Sequence, residues 1–591
     1  MSEEKKSSKT GCIVVAVVVL LVVGVAFVLL TWLALRSVGK AASKVSRGTV
    51  LELSLSGSWT EGPSEYDLGL LFGTTTRSLW DLRRTLNAAA EDPDIVGLRL
   101  VAQSAGAGWS TAEEILEYVD HFRESGKPVH AQLAGDMVSD VDYFLATGAD
   151  RIWIMPETAA VINGVAAEVQ FYRGSLDKLH VEPEVLMYKE YKSAGEPYLN
   201  YGMSEYMRES MTAVLASIHD RFLDRVALRR GVERDRVEAF LARGMTTAAD
   251  LLEMGLVDEI GYRDQVMGTL AEAAGVDEYR GVSFAAYRQS LGKESRGRRR
   301  IAIVYGEGPI VTSTPDTLFP FALAMFSGSR VAANIQAAAD DPRVKAIVFR
   351  VNSPGGSAVG SDLVRRAIVR VRAQGTPVVV SMSDVAGSGG YWVAMAADAI
   401  VAHSTTMTGS IGVVFTKFNL DGFFEWLGTN TDRITTSPAA DMFGTGPLDD
   451  AELEGVRSWM DATYDSFTSK VAESRDLDLE HVQEIARGRV WSGRDALALD
   501  LVDYLGGLDT AIEVAKELAD LSDEDISLVV VPRPKTLFER LFEENRVSVP
   551  LFGRLVGVDS TGLLDLGAVE RWLRQAARPQ VQVRMTDVVL D

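Results

Sequence analysis

The sequence predicts an α/β protein in which two tandem copies of a βαβ unit follow an N-terminal transmembrane helix. Three observations lead there. Residues 13–35 form 23 consecutive positions without a charge, opening IVVAVVVLLVV. Three segments recur in the same order at a separation of about 245–250 residues. Within each copy, apolar β-rich runs such as AIVFRV (346–351) and PVVVSM (377–382) alternate with helical stretches such as SDLVRRAIVRVRAQ (361–374), the pattern of βαβ units around a mostly parallel sheet.

At 1.5 Å per residue, the apolar run spans a hydrocarbon core of ~30 Å. Lys5, Lys6 and Lys9 precede it and Arg36, Lys40, Lys44 and Arg47 follow, so the flanking charges do not fix its orientation. A cleavable signal peptide has a shorter apolar region and a small-residue cleavage site, so an uncleaved anchor is expected. The only cysteine, Cys12, lies before the run rather than after it, where a lipoprotein cysteine would stand. A body without cysteine suits an extracytoplasmic location and excludes a disulfide scaffold and a thiolate metal site.

The remaining composition narrows the function. A chain of 591 residues is too long for one core, so two or more domains are expected. A net charge of −22 argues against general nucleic-acid binding, which needs lysine and arginine in excess. Six histidines occur (121, 130, 180, 219, 403 and 481), none in HxH, HExxH or HxxxH spacing, so a histidine-built metal centre is not expected.

The repeats match over AEDPDIVGLRLVAQSAGAG (90–108) with ADDPRVKAIVFRVNSPGGS (339–357), over 126–154 with 375–403, and over 243–261 with 487–506. The expected organisation is a cytoplasmic tail (1–11), an anchor (12–35), a linker (36–47), a first repeat (48–292), a basic linker (293–300), a second repeat (301–530) and a C-terminal tail (531–591). KESRGRRR, between the repeats, reads as a solvated linker. The tail opens with VPRPK and has no counterpart after the first repeat.

In open parallel sheets, ligands sit where the carboxyl ends of strands meet helix N-termini. Two such junctions in the second repeat are glycine-rich: NSPGGS (352–357) and AGSGGYW (386–392). A serine opening a helix is favoured as a nucleophile, and flanking glycines let backbone N–H groups approach a substrate carbonyl. The two junctions together suit an oxyanion hole beside Ser388. GSGG alone is weak, since most glycine-rich strand–helix turns are structural; the first repeat adds the contrast. Aligning Tyr143 with Tyr391 sets Asp140 opposite Ser388, with Val141 and Asp142 opposite the two glycines; Ser139 is opposite only if the gap moves by one. Gly106 matches Gly355, but Ala107 replaces Gly356.

A serine nucleophile needs a base. His403 ends a strand-like run in the same repeat and reads as a satisfied or solvated histidine. A buried lysine, neutral near pH 7, is the alternative. Lys192 of VLMYKEYKSAGEPY (185–198) sits in a small-residue turn after an apolar run, and the matching stretch of the second repeat, RITTSPAADMF (433–443), has no lysine. One copy carries the serine and the other a lysine.

YKSAGEP, NSPGG, AGSGGYW and TGSIGV (408–413) resemble the motifs of the signal peptide peptidase A (protease IV) family in its long, duplicated form, across nearly the whole chain. The resemblance implies tandem ClpP/crotonase-like repeats, a Ser/Lys dyad split between the halves, and no metal or cofactor. It assigns Ser388 as nucleophile, Lys192 as general base, Gly389 with Gly355 or Gly356 as oxyanion donors, and Ser410 as the residue that holds the lysine. It also implies a homotetramer anchored in the bacterial cytoplasmic membrane, body outside, cleaving remnant signal peptides. Glycine at 387, where the family more usually has alanine, is a small departure. Two rival classes remain: a crotonase-like acyl-group binding protein, which explains the glycines but not the retained Lys192, and a catalytically inactive envelope scaffold.

Overall fold

The computed structural model describes residues 45–63, 77–291, 297–313, 325–521 and 526–533, with two short strands at 583–584 and 589–590. The expected anchor and most of the C-terminal tail lie outside the described residues. Among the described residues, no helix is long and apolar enough to cross a membrane.

The first half runs β1 (Thr49–Ser54), α1 (Leu79–Glu91), β2 (Ile95–Ala102), α2 (Trp109–Glu124), β3 (Val129–Leu133), β4 (Met137–Ser139), α3 (Asp140–Ala146), β5 (Arg151–Ile154), β6 (Ala159–Val161), β7 (Glu182–Tyr188), α4 (Glu205–Arg230), β8 (Glu259–Ile260) and β9 (Gly281–Ser283). The second runs β10 (Arg299–Glu307), α5 (Gly328–Ala339), β11 (Val344–Ser353), β12 (Gly355–Gly356), α6 (Ala358–Ala373), β13 (Val378–Gly387), α7 (Gly389–Ala394), β14 (Ala399–Ala402), β15 (Met407–Gly409), β16 (Val413–Asn419), α8 (Asp450–Arg475), β17 (Val490–Ser492), β18 (Tyr504–Leu505), α9 (Leu508–Leu518) and β19 (Ile526–Val531).

Each half is built on a parallel sheet. The first has strand order β8-β5-β3-β2-β1-β9, and the second repeats it as β18-β14-β13-β11-β10-β19. Strands such as β11 and β13 are buried nearly end to end, as expected of parallel strands covered on both faces. The basic stretch expected as a linker ends earlier than its composition suggests, because Arg299 and Arg300 already pair in β10. Helices α4 and α8 are twins of 26 residues. Ser204 and Asp449 cap their first turns, and each ends on a left-handed residue, Gly231 or Asp476.

The halves differ where strand three meets its helix. In the second half β13 runs unbroken for 10 residues, and its last three pair with β15. In the first half this path is interrupted between β3 and β4, and β4 pairs with β6 in a separate small sheet.

The two halves are joined by strand pairing. β7 of the first half lies antiparallel to β16 of the second, from Glu182 opposite Asn419 to Tyr188 opposite Val413. Helix α4 extends over β17, with Ser210 bonded to Val490 and Ser217 to Ser492. Helix α2 reaches β13, where the Thr111 hydroxyl and N–H both donate to Asp384.

Beneath these contacts is a buried charged cluster. The Arg350 guanidinium donates to Glu61 at 2.8 Å, to Ser381 at 2.8 Å and to Glu114. Asn352 also donates to Glu61 at 2.8 Å. Glu61 and Glu114 belong to the first half and Arg350 to the second, so the cluster is an electrostatic bolt between them. Burial favours the neutral form of Glu114, but Arg350 and His403 outweigh it and hold its carboxyl down at about 2. Removing one partner of such a cluster strands the others in a low dielectric. Arg350→Met is expected to cost about 3–5 kcal/mol, measured as a lower urea midpoint by circular dichroism; an unchanged midpoint would remove the cluster from the account of stability.

Candidate active site

Ser388 sits between β13 and α7 with φ +58° and ψ −115°, a conformation that non-glycine residues rarely adopt. Such a residue costs on the order of 1–3 kcal/mol and persists only where its surroundings impose it. Here its N–H donates to the Gly409 carbonyl at 2.7 Å and its carbonyl accepts from Trp392 N–H at 2.9 Å. The β13–β15 pairing therefore fixes the turn that presents the hydroxyl.

The two following glycines are demanded by close approach. A Cβ at Gly389 would lie 2.7 Å from Ser361 Oγ and 3.1 Å from the Gly356 nitrogen, and one at Gly390 would lie 2.6 Å from the Ser353 carbonyl oxygen. The NSPGG turn is thus packed directly against the start of α7. Gly355 and Gly356 both have positive φ. The Gly355 N–H donates to Ser353 Oγ at 3.2 Å, so this turn already uses it. The Gly356 nitrogen is the one that faces Gly389.

Lys192 arrives from the other half. β7 ends at Tyr188, opposite Val413, and a turn closed by the Lys192 N–H donating to the Lys189 carbonyl at 3.0 Å then brings Lys192 beside Ser410. Its Nζ lies 2.6 Å from Ser388 Oγ, 2.9 Å from the Ser410 carbonyl oxygen and 3.0 Å from Ser410 Oγ. Lys192 is 1% exposed and Ser388 0%. Burial alone holds the amine down at about 7, with no charged neighbour contributing. Gly412 gives the lysine room, since a Cβ there would fall 3.1 Å from Lys192 Cδ and 2.6 Å from the Tyr188 carbonyl oxygen. A hydroxyl held against an amine that is half-neutral near pH 7 is the arrangement of a base-activated nucleophile.

The corresponding place in the first half is closed. Tyr143 and Tyr391 donate to equivalent carbonyls, Leu256 and Leu501, so Asp140 stands at the level of Ser388. The Asp140 carboxylate accepts from the Asn163 and Gly164 N–H groups. Burial pushes its pKa up to about 6 against these bonds. Asp142, at the position of Gly390, accepts from Ala105 N–H at 2.9 Å, so a carboxylate stands where the second half packs backbone against backbone.

His403 is not near this chemistry. Its ring is buried beside Glu113, Glu114 and Glu117 of α2, with Nε2 3.3 Å from Glu114. Burial opposes its protonation, but Glu117, Glu114 and Glu113 outweigh burial and raise its pKa to about 9. It is a satisfied histidine in the bolt between the halves. Arg350 and its partners were not evident in the sequence as a group, because their positions are scattered from 61 to 403 and no spacing links them. The 487–489 segment, which packs on Lys192, was visible only as a repeat match.

Residues 121–277 and 370–522 match the model of peptidase family S49, one copy in each half. The chain is 33% identical over 534 residues to the chloroplastic serine protease SPPA of Arabidopsis thaliana, covering 88% of this chain and 76% of that protein. It is 33% identical over 508 residues to protease 4 of Salmonella typhi, covering 82% and 80%. With protease 4 of Haemophilus influenzae it shares 31% over 460 residues, covering 75% and 73%. The fold and its site thus define a duplicated α/β serine-type peptidase. The chain belongs to peptidase family S49.

The histidine makes a pH-dependent contribution with a definite sign. Its folded pKa lies above the ordinary 6.5, so the stability it adds is complete below that value and is lost as pH rises through about 9. The gap in thermal midpoint between the parent and His403→Gln is expected to narrow from pH 6.5 to 9; a gap independent of pH would mean the imidazole is neutral in the fold.

Proposed function

We propose that the chain is a membrane-anchored serine endopeptidase with a Ser388/Lys192 dyad that degrades remnant signal peptides after their release from secretory precursors. The observation that carries this reading is the 2.6 Å approach of a buried lysine to a buried serine across the two halves. Neutral Lys192 takes the Ser388 proton as Oγ attacks the peptide carbonyl. The tetrahedral oxyanion is received by the N–H groups of Gly389 and Gly356. The lysine ammonium then protonates the leaving amine, giving an acyl-enzyme. A water deprotonated by the same lysine attacks the ester and releases the acid and the free serine. Ser410, through both its carbonyl and hydroxyl oxygens, holds Nζ in line.

An extended substrate backbone suits this site. Gly355–Gly356 accepts an antiparallel strand, as the chain's own Val583–Arg584 pairs with it. The apolar substrate class rests on the resemblance in the YKSAGEP, NSPGG, AGSGGYW and TGSIGV motifs and on the uncharged run at 13–35, which would tether the body at the outer face of the cytoplasmic membrane with the N-terminus inside. A homotetramer is proposed on the resemblance alone. An acyl-group binder or an inactive scaffold gives no reason for a lysine to be buried against the serine.

The full-length protein in detergent should hydrolyse an apolar peptide, while Ser388→Ala and Lys192→Ala, both folded, lose at least about 10³-fold in kcat. Activity retained in either variant would end the dyad assignment. The pH profile follows from the lysine: kcat/KM should climb through an apparent pKa of about 7 and level off above it, because the active form is the neutral amine. A flat profile from pH 6 to 9 would contradict a lysine base.

A further inference from the structure

The segment Arg487–Gly488–Arg489 touches the lysine loop of one half and the Ser410 turn of the other, although it belongs to neither glycine-rich junction. The Arg487 carbonyl accepts from Tyr191 N–H at 3.1 Å. Gly488 N–H donates to the Ile411 carbonyl at 2.8 Å, and the Arg489 carbonyl accepts from Ser410 N–H at 2.7 Å. Gly488 lies so close to Lys192 that a Cβ there would be 2.5 Å from the lysine's backbone nitrogen and 2.6 Å from its Cα and Cβ; the φ of Gly488 is +83°. Above this, the Tyr191 ring lies under both guanidinium groups, 5.5 Å from that of Arg487 and 5.0 Å from that of Arg489. Arg487 pairs with Glu190, and Arg489 with Glu209 of α4 at 2.7 Å.

We propose that Arg487–Gly488–Arg489 is a positioning clamp that presses the Lys192 backbone onto the Ser410 turn and so sets the reach of Nζ to Ser388. The proposal rests on the dyad reading. The three backbone bonds tie Tyr191, Ile411 and Ser410 to one short segment, so the lysine and its acceptor cannot move apart without breaking it. Glycine is required at 488 because the lysine backbone occupies the place of a side chain. The titratable and charged groups around the loop are Tyr188, Lys189, Glu190, Tyr191 and Glu196 on its own side, Tyr464 from α8, Tyr206 and Glu209 from α4, and Arg487 and Arg489 from the clamp. Nζ itself bonds to Ser388 and Ser410. Loosening the clamp therefore acts on Lys192 by admitting water, which favours its charged form.

The test compares the full-length parent, Lys192→Ala, Gly488→Ala and Tyr191→Leu on one apolar peptide from pH 6 to 10, with thermal unfolding of each. Gly488→Ala should lose about 100-fold in kcat at pH 7, where the more hydrated lysine is charged. KM should stay within about twofold, and the deficit should shrink toward pH 10 as the more hydrated lysine deprotonates. Tyr191→Leu, which removes the ring between the arginines and adds no atom near Lys192, should show the same pattern at about 10-fold. A folded Gly488→Ala with the parent's kcat and profile, or with a loss equal at every pH, overturns the clamp. If Gly488→Ala does not fold, Tyr191→Leu decides on the same criteria. Should Lys192→Ala keep the parent's activity and profile, the dyad reading fails instead, and the two failures are told apart.

Discussion

Everything at this site depends on one antiparallel pairing, β7 against β16. Parallel sheets are built inside each half, and neither brings the lysine to the serine. The pairing of Glu182–Tyr188 with Val413–Asn419 does, because a fixed register converts a sequence separation of 196 residues into a 2.6 Å contact. A slip of one residue would turn every side chain of β7 to the other face and shift the turn that carries Lys192 away from Ser410. The register is held at its far end by Glu184, which accepts from Lys417 at 2.9 Å and from Leu448 N–H at 2.8 Å, and near the site by the packing of Gly412 against the Tyr188 carbonyl.

Duplication makes the division of labour visible as chemistry. The two halves share strand order and helix lengths, yet carboxylates occupy the junction of one and glycines that of the other. In the first half Asp140 and Asp142 accept backbone N–H groups that an open site would offer to a ligand. Those bonds turn a potential binding junction into a structural one. It serves as a rigid wall from which β7 is projected.

Much of the fold could be read from the sequence because parallel strands covered on both faces appear as continuous apolar runs, and because the repeats report each other. Ser388 and its glycines stood out for the same reason: the first copy keeps the flanking pattern and loses the small residues. Lys192 was legible as a lysine in a small-residue turn whose matching stretch in the second copy has none. Its partner strand was not, since VLMY is too short to separate strand from helix and an inter-repeat pairing leaves no periodic trace. The burial of Arg350 and His403 was equally hidden. Each is ordinary in its own segment, and their meaning comes from Glu61, Glu113 and Glu114, which only the folded chain brings near.

The order of these residues along the chain has a consequence for synthesis. The lysine is made first, at 192, the serine at 388, its companion hydroxyl at 410, and the segment that packs them together only at 487–489. A ribosome-bound chain therefore carries every reactive group long before it carries the last structural piece. Until Gly488 has been added, the segment that lies against the Lys192 backbone is absent. The enclosure of the lysine is thus a late event in the chain's own order of synthesis, although the lysine itself is among the early ones.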